Sequence, residues 1–199
     1  MEERFDLPNH RDGRRPRERG VVMLEALITI VILAFGILGL AGLQAKMQAA
    51  EMESYQRSQA LVLLDDMAHR LSANRANAAT YVTGTPVGTG DGEPADCSGL
   101  AVGQPRDQCE WSNALKGAAE QIAGASVGSM IDGRGCIEAA GVDPPSYRIM
   151  VAWQGLTPTA VPGFACGQGS YGGDDALRRV VAKVVTVATL IPPGVVVPP

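Results

Sequence analysis

The residues of this sequence best able to do chemistry are four cysteines and one isolated carboxylate. Cys97, Cys109, Cys136 and Cys166 can close disulfides or gather a metal ion, and Glu25 is the only charge in the apolar run Val21–Leu43, VVMLEALITIVILAFGILGLAGL. No cysteine belongs to a Cys-x-x-Cys motif, and His10 and His69 stand far from all four, so the spacing expected of a zinc site is missing. Disulfides are the natural reading wherever that part of the chain is exported. Three pairings are formally possible. Loop-closure entropy favours neighbours in sequence, which gives Cys97 with Cys109 and Cys136 with Cys166.

Catalysis needs acid, base or nucleophile groups that converge, and the supply is thin. His69 lies on a charged helical face beside Asp65 and Asp66 and reads as solvated surface. There is no G-x-S-x-G, Walker or dinucleotide fingerprint, and the glycines of TGTPVGTGDGEP have no Lys-Ser or Lys-Thr pair after them. The expectation is a protein that is not an enzyme, with no catalytic residue, metal site or cofactor.

The length of 199 residues allows one ordinary domain plus an anchor. The net charge of -4 hides an uneven layout: Arg11, Arg14, Arg15, Arg17 and Arg19 oppose only Asp12 and Glu18 just before the apolar run. After it, Lys46 and Arg57 are balanced by Glu51 and Glu53. This asymmetry predicts a cytoplasmic N-terminus and an exported remainder that carries all four cysteines. Beyond Gly20 the acids outnumber Lys plus Arg, with no basic stripe and interleaved aromatics, so nucleic acid is not an expected partner.

The run Val21–Leu43 is long enough, at helical rise, to cross about 30 Å of hydrocarbon. Its Val, Ile, Leu and Phe residues, at about -0.3 to -0.6 kcal/mol each, outweigh one acid costing about 2–3 kcal/mol. A secretory signal would have a shorter apolar stretch and a small-residue cleavage site after it, and neither is present. A polar, arginine-rich leader instead ends at Gly20, and the apolar helix starts at once.

The junction Arg19-Gly20-Val21-Val22-Met23-Leu24-Glu25 resembles the class III signal of type IV prepilins and type II secretion pseudopilins. Many members of that family have phenylalanine or methionine first and a hydroxyl residue second, where this chain has Val21 and Val22. The resemblance implies cleavage between Gly20 and Val21 by prepilin peptidase, a membrane-embedded aspartyl enzyme, and N-methylation of Val21. It also assigns Glu25 to subunit assembly, as a carboxylate that meets the amino terminus of a neighbouring subunit. In a low dielectric such a pair is selective for register. Gly36, Gly39 and Gly42 weaken the helix intrinsically and also permit close helix packing, and the sequence leaves both uses open.

Beyond the span, helix-favouring residues run without proline from Gln44 to Asn77, with Leu61, Leu64, Met67, Ala68 and Leu71 along one stripe. Asp66 and Arg70 can pair across one turn. Thr80 to Asp107 reads as a long surface loop, and Trp111, Leu115, Ala118 and Ile122 as a short amphipathic helix. Val127–Ile131 and Gly135–Ala139, flanking Asp132-Gly133, read as a hairpin. Tyr147 to Gln154 alternates as a strand, with Tyr147, Ile149, Val151 and Trp153 toward the helix. Arg179 to Leu190 reads as a last strand offering Val180, Ala182, Val184 and Ala188 to one face.

The expected layout is a cytoplasmic leader over residues 1–20, a transmembrane helix half over 21–43 and a periplasmic half over 44–78. A globular pilin domain with an antiparallel sheet follows over 79–190, then an extended tail over 191–199. This order resembles the pilin fold, an α+β arrangement in which a long N-terminal helix packs on a C-terminal antiparallel sheet. The Tyr-x-Ile-x-Val-x-Trp strand, the cysteine after it and the Arg-Arg-Val-Val run look like the PilV-type minor pilins. The resemblance implies a minor subunit of the type IV pilus that helps to prime assembly, sits at the tip, and supports adhesion and twitching motility. Its partners would be other minor pilins, the major pilin, prepilin peptidase and inner-membrane pilus assembly proteins. It would lie in the inner membrane as a single-pass protein before assembly and on the cell surface afterwards. A minor pseudopilin of type II secretion and an uncleaved single-pass periplasmic binding protein are the alternatives.

Overall fold

The structure, a computed structural model, describes residues 19–118, 121–122, 125–126, 130–173 and 175–188. The leader expected over residues 1–20 lies almost wholly outside them, as does the tail expected over 191–199. The chain divides into two compact units, residues 1–47 and 48–199.

Helix α1 runs from Arg19 to Ala73. Its first part, in the N-terminal unit, is exposed on every side from Val21 onward, which follows from a sequence apolar all round rather than on one stripe. In the second unit the helix becomes amphipathic, and Ala60, Leu64, Met67, Ala68 and Leu71 are buried. The helix was expected to continue to Asn77; it stops at Ala73, and a 3-10 segment takes Arg75–Tyr81. Asn74 explains the stop. Its side chain accepts from Asn77 Nδ2 at 2.9 Å and donates to the Tyr81 hydroxyl at 3.1 Å, local bonds that compete with helical continuation.

The sheet has the order β1-β4-β5-β6, all neighbours antiparallel, with β1 at Val87–Gly88, β4 at Ile131–Val142, β5 at Pro145–Gln154 and β6 at Arg178–Thr186. A separate pair joins β2, Gln121–Ile122, to β3, Ala125–Ser126. Tyr147, Ile149, Val151 and Trp153 of β5 lie in one core cluster with the buried face of α1, with Tyr81, and with Trp111 and Leu115 of helix α2, Gln104–Leu115. Full burial of each large apolar side chain there is worth about 1.5–3 kcal/mol. A long N-terminal helix followed by a four-stranded antiparallel sheet is the α+β arrangement of a pilin fold.

Three local expectations are corrected. The amphipathic helix ends at Leu115 rather than reaching Ala118 and Ile122, because Gly117, at φ 82°, turns the chain out of the helix, and Ile122 belongs to β2. It also starts earlier, inside the expected loop, with Pro105 in its first turn. Asp132-Gly133 is no hairpin turn. Strand β4 runs straight through it with a register shift between Ile131 and Arg134, and the chain reverses at Val142–Pro145. The glycines serve packing instead: a Cβ on Gly135 would stand 2.3 Å from the Trp111 ring, and one on Gly133 2.5 Å from the Leu115 carbonyl oxygen. Val127–Ser129 lie outside the described residues.

The third correction concerns β6, which spans Arg178–Thr186; Thr189 and Leu190 lie outside the described residues. Its register sets Val181 opposite Val151 and Val185 opposite Tyr147, so Val181 and Val185, with Val187 beyond the strand end, pack on the main core. Of the set expected on one face, Val180 packs on a smaller cluster of Met150, Ala152, Cys166 and Tyr171 away from the main core, while Ala182, Val184 and Ala188 are exposed. A β-branched run carries no marker of which parity faces inward; the partner strand decides it.

Candidate functional site

In the N-terminal unit the structure places Gly20 and Val21 in the first turn of α1 and Glu25 one turn further on. Val21 and Glu25, four residues apart, share a face of the helix. Glu25 is exposed, and among the described residues no hydrogen bond or ion pair reaches its carboxylate; only its backbone carbonyl is engaged, accepting from Thr29 Oγ1 at 2.7 Å. Around it stand exposed Val22, Leu24, Ile28 and Ile32. The apolar part of α1 is long enough to cross a membrane, and none of it is buried within the protein. In an apolar environment a lone carboxylate is costly, about 2–3 kcal/mol at a span centre, and either an opposite charge or access to interfacial water relieves that cost.

The four cysteines lie in the other unit. Cys97 bonds Cys109 with an S–S distance of 1.97 Å and ties the loop before α2 to α2 itself. Cys136 bonds Cys166 at 2.02 Å and ties β4 to the long connection between β5 and β6. His69 is exposed on α1, and no group of acidic, histidine or cysteine side chains able to hold a metal occurs among the described residues.

Side chains that the sequence did not single out fix the loops. Asp91 Oδ2 accepts from Gly88 N at 2.7 Å and Ser112 Oγ at 2.6 Å, and Oδ1 meets Lys116 Nζ at 2.5 Å. Burial works to raise the Asp91 pKa, but the bonds from Lys116 and Ser112 and from two backbone amides outweigh it and hold it below the usual carboxylate range. Arg106 donates to the carbonyls of Ser98 and Leu100, clamping the tip of the same loop. Arg70 pairs with Asp66 as its spacing suggests, at 2.9 Å, and also with Asp107 at 3.1 Å and Glu110 at 2.6 Å on α2. Tyr81 donates to Asp107, and its pKa is pushed up to about 12, first by burial and then by that bond.

Glu53 latches α1 to the sheet. Its Oε1 accepts from Leu156 N at 3.1 Å, Thr157 N at 3.2 Å, Thr157 Oγ1 at 3.1 Å and Arg179 Nη2 at 3.1 Å. Burial works to raise its pKa, and the Thr157 bonds and the Arg179 charge reverse this, leaving it below its ordinary 4.5. A carboxylate with a depressed folded-state pKa stabilises the fold above the unfolded value, and that contribution is lost as pH falls through the folded value. Glu53→Gln should therefore lower the stability of the full chain at neutral pH, by about 1 kcal/mol, and the gap from the parent in melting temperature should narrow as pH falls below the ordinary carboxylate range. A gap constant across that range would count against the latch.

A partner for such a latch is separated by more than a hundred positions in sequence, and no local signal connects them. Comparison with family models, with curated proteins and with solved structures finds no match.

Proposed function

We propose that the chain is a type IV prepilin of the minor-pilin kind: cleaved after Gly20, methylated on Val21, held in the inner membrane by the first part of α1 and assembled into a filament through Glu25. The observation that carries this reading is a single unpartnered carboxylate, five residues after a leader-closing glycine, on a wholly exposed apolar helix that heads a four-stranded antiparallel head. An exposed helix of this kind needs either lipid or the same helix of another subunit around it, and a filament core supplies the second after the membrane supplies the first. The disulfides suit an exported head. The finer assignment, a PilV-type subunit that primes assembly and sits at the pilus tip in support of adhesion and twitching, follows from the sequence resemblance. Its partners are the other minor pilins, the major pilin, prepilin peptidase and inner-membrane assembly proteins.

Mass analysis of the protein from cells that contain prepilin peptidase should find a chain beginning at Val21 and carrying one methyl group on its amino terminus. An intact leader in such cells would sink the reading. Glu25→Ala should leave membrane insertion unchanged and reduce recovery of the protein in sheared filaments by about tenfold or more, on the scale of one lost charge pair in low dielectric. Undiminished recovery would remove Glu25 from assembly.

A further inference from the structure

Strand β6 is an edge. In the order β1-β4-β5-β6 it has β5 on one side and, among the described residues, no strand on the other. Its hydrogen-bonding parity can be read from its two ends: Gly155 N donates to Leu177 O at 2.8 Å, and Val187 N donates to Pro145 O at 2.8 Å. In an unbroken antiparallel register this directs the backbone groups of the odd-numbered residues toward β5 and those of Val180, Ala182, Val184 and Thr186 away from it. Among the described residues no hydrogen bond reaches those outward groups, and Ala182, Val184 and Thr186 are exposed. Buried Arg178 apart, the edge residues are small or β-branched, the only other charges being Arg179 and Lys183, each committed to a carboxylate of α1. The device that usually blunts an edge is thus absent over Val180–Ala182 and Val184–Thr186.

Beside this edge, Ala50, Ser54, Arg57 and Leu61 of α1 fall on one flank of the helix, and all four are exposed. The first three, with Glu53, Trp153, Arg179, Val180 and Val181, line a groove of ≈ 420 Å³ that runs between helix and strand. Within it the Glu53 charge is taken up by Arg179 at 3.1 Å, which leaves Arg57 as a cation with no ion pair among the described residues.

We propose that the β6 edge and this helix flank form a docking site for an extended strand of another protein chain, one that carries a carboxylate on its helix-facing side. The strand extends the sheet through the outward N–H and C=O groups of Val180, Ala182, Val184 and Thr186. Its alternate side chains then point into the groove, where the acid meets Arg57 and an apolar neighbour meets Leu61. A second copy's β6 does not fit, because Arg178–Thr186 contains no acid. This inference rests on the subunit reading above for the source of the strand, since a pilus assembly surrounds each head with other subunits; the binding chemistry is independent of it.

Hydrogen exchange on the full chain in lipid nanodiscs tests the site, with two short synthetic peptides of alternating threonine and valine, one carrying a central glutamate and the other a central lysine. The glutamate peptide should slow exchange at Val180, Ala182, Val184 and Thr186 by about tenfold or more, and the lysine peptide by less than about twofold. Ala182→Pro removes one outward donor without touching the bonds to β5, so it should abolish the protection while the melting temperature holds. Arg57→Glu should reverse the preference between the peptides. Outward amides already protected in the peptide-free monomer, equal protection by both peptides, or a concentration-dependent dimer closing over β6 would each overturn the proposal. Failure of the pilus reading would appear as an uncleaved leader and leave these exchange data unchanged.

Discussion

Replacing Arg178 by leucine should destabilise the head by about 3–5 kcal/mol, the range for breaking a buried, hydrogen-bonded charge, and should expose the connection between β5 and β6 to proteolysis. The side chain is 1% exposed, yet Arg178 is charged and has to satisfy five N–H groups. It does so on backbone oxygens of that connection: Nη1 donates to the carbonyls of Phe164 and, at 3.1 Å, Cys166, and Nη2 donates to Pro162 O at 3.3 Å and Asp175 Oδ2 at 3.2 Å. Nε reaches Asp175 Oδ1 at 3.3 Å. The residues it organises, 155–173, contain no charge of their own and expose Leu156, Val161 and Phe164, so beyond the Glu53 bonds to Leu156 and Thr157 and the Cys136–Cys166 bridge their path depends on Arg178. Leucine would leave three carbonyls without a donor and Asp175 without its cation. Lysine should fail to restore stability, because an ammonium cannot present the planar fork that spans these acceptors. Chemical unfolding of the full chain in nanodiscs measures the loss. A cost below about 1 kcal/mol would mean that water replaces the guanidinium and that Arg178 does not hold the loop.

What was legible in the sequence divides along the range of the forces involved. The apolar run of α1, the amphipathic stripe through Leu64, Met67 and Leu71 and the alternation of Tyr147 to Trp153 are signals carried within one element; the structure leaves the first exposed and buries the side chains of the other two. The expectations that failed concern positions where a distant element decides. Asp132-Gly133 reads as a turn because a turn is the commonest local use of Asp-Gly, whereas the small size of Gly133, and of Gly135 after it, is needed by Leu115 and Trp111 of α2. Which face of β6 meets the main core is not marked in the sequence, because Val180 and Val181 are equivalent by composition, and only the pairing of Val181 with Val151 separates them. Arg178 and Arg179 stood side by side as the start of a strand; one is now a buried clamp and the other half of the Glu53 latch. Glu25 stands out as a candidate for the opposite reason, since an isolated charge among apolar residues is conspicuous without any knowledge of its surroundings.

The second large effect is expected at Cys136–Cys166. Serine at both positions should cost the head about 3–4 kcal/mol in the chain-entropy account, because the bridge closes a loop with a sequence separation of 30. The corresponding change at Cys97–Cys109, with a separation of 12, should cost somewhat less, about 3 kcal/mol, and less still to the extent that Arg106 and Asp91 continue to hold that loop. Cys166 also belongs to the small cluster with Met150, Ala152 and Tyr171, and packing there is lost along with the bond. The informative experiment combines this change with Arg178→Leu. Both devices restrain the same stretch, Arg178 through the Pro162, Phe164 and Cys166 carbonyls and the disulfide through Cys166 itself. Once either is gone the loop is partly free, so the second loss has less order left to remove. The double variant should therefore be more stable than the sum of the single losses implies, by about 1 kcal/mol or more. Strict additivity would mean that the clamp and the bridge stabilise separate parts of the head, and the account of the β5–β6 connection as one doubly anchored segment would fail.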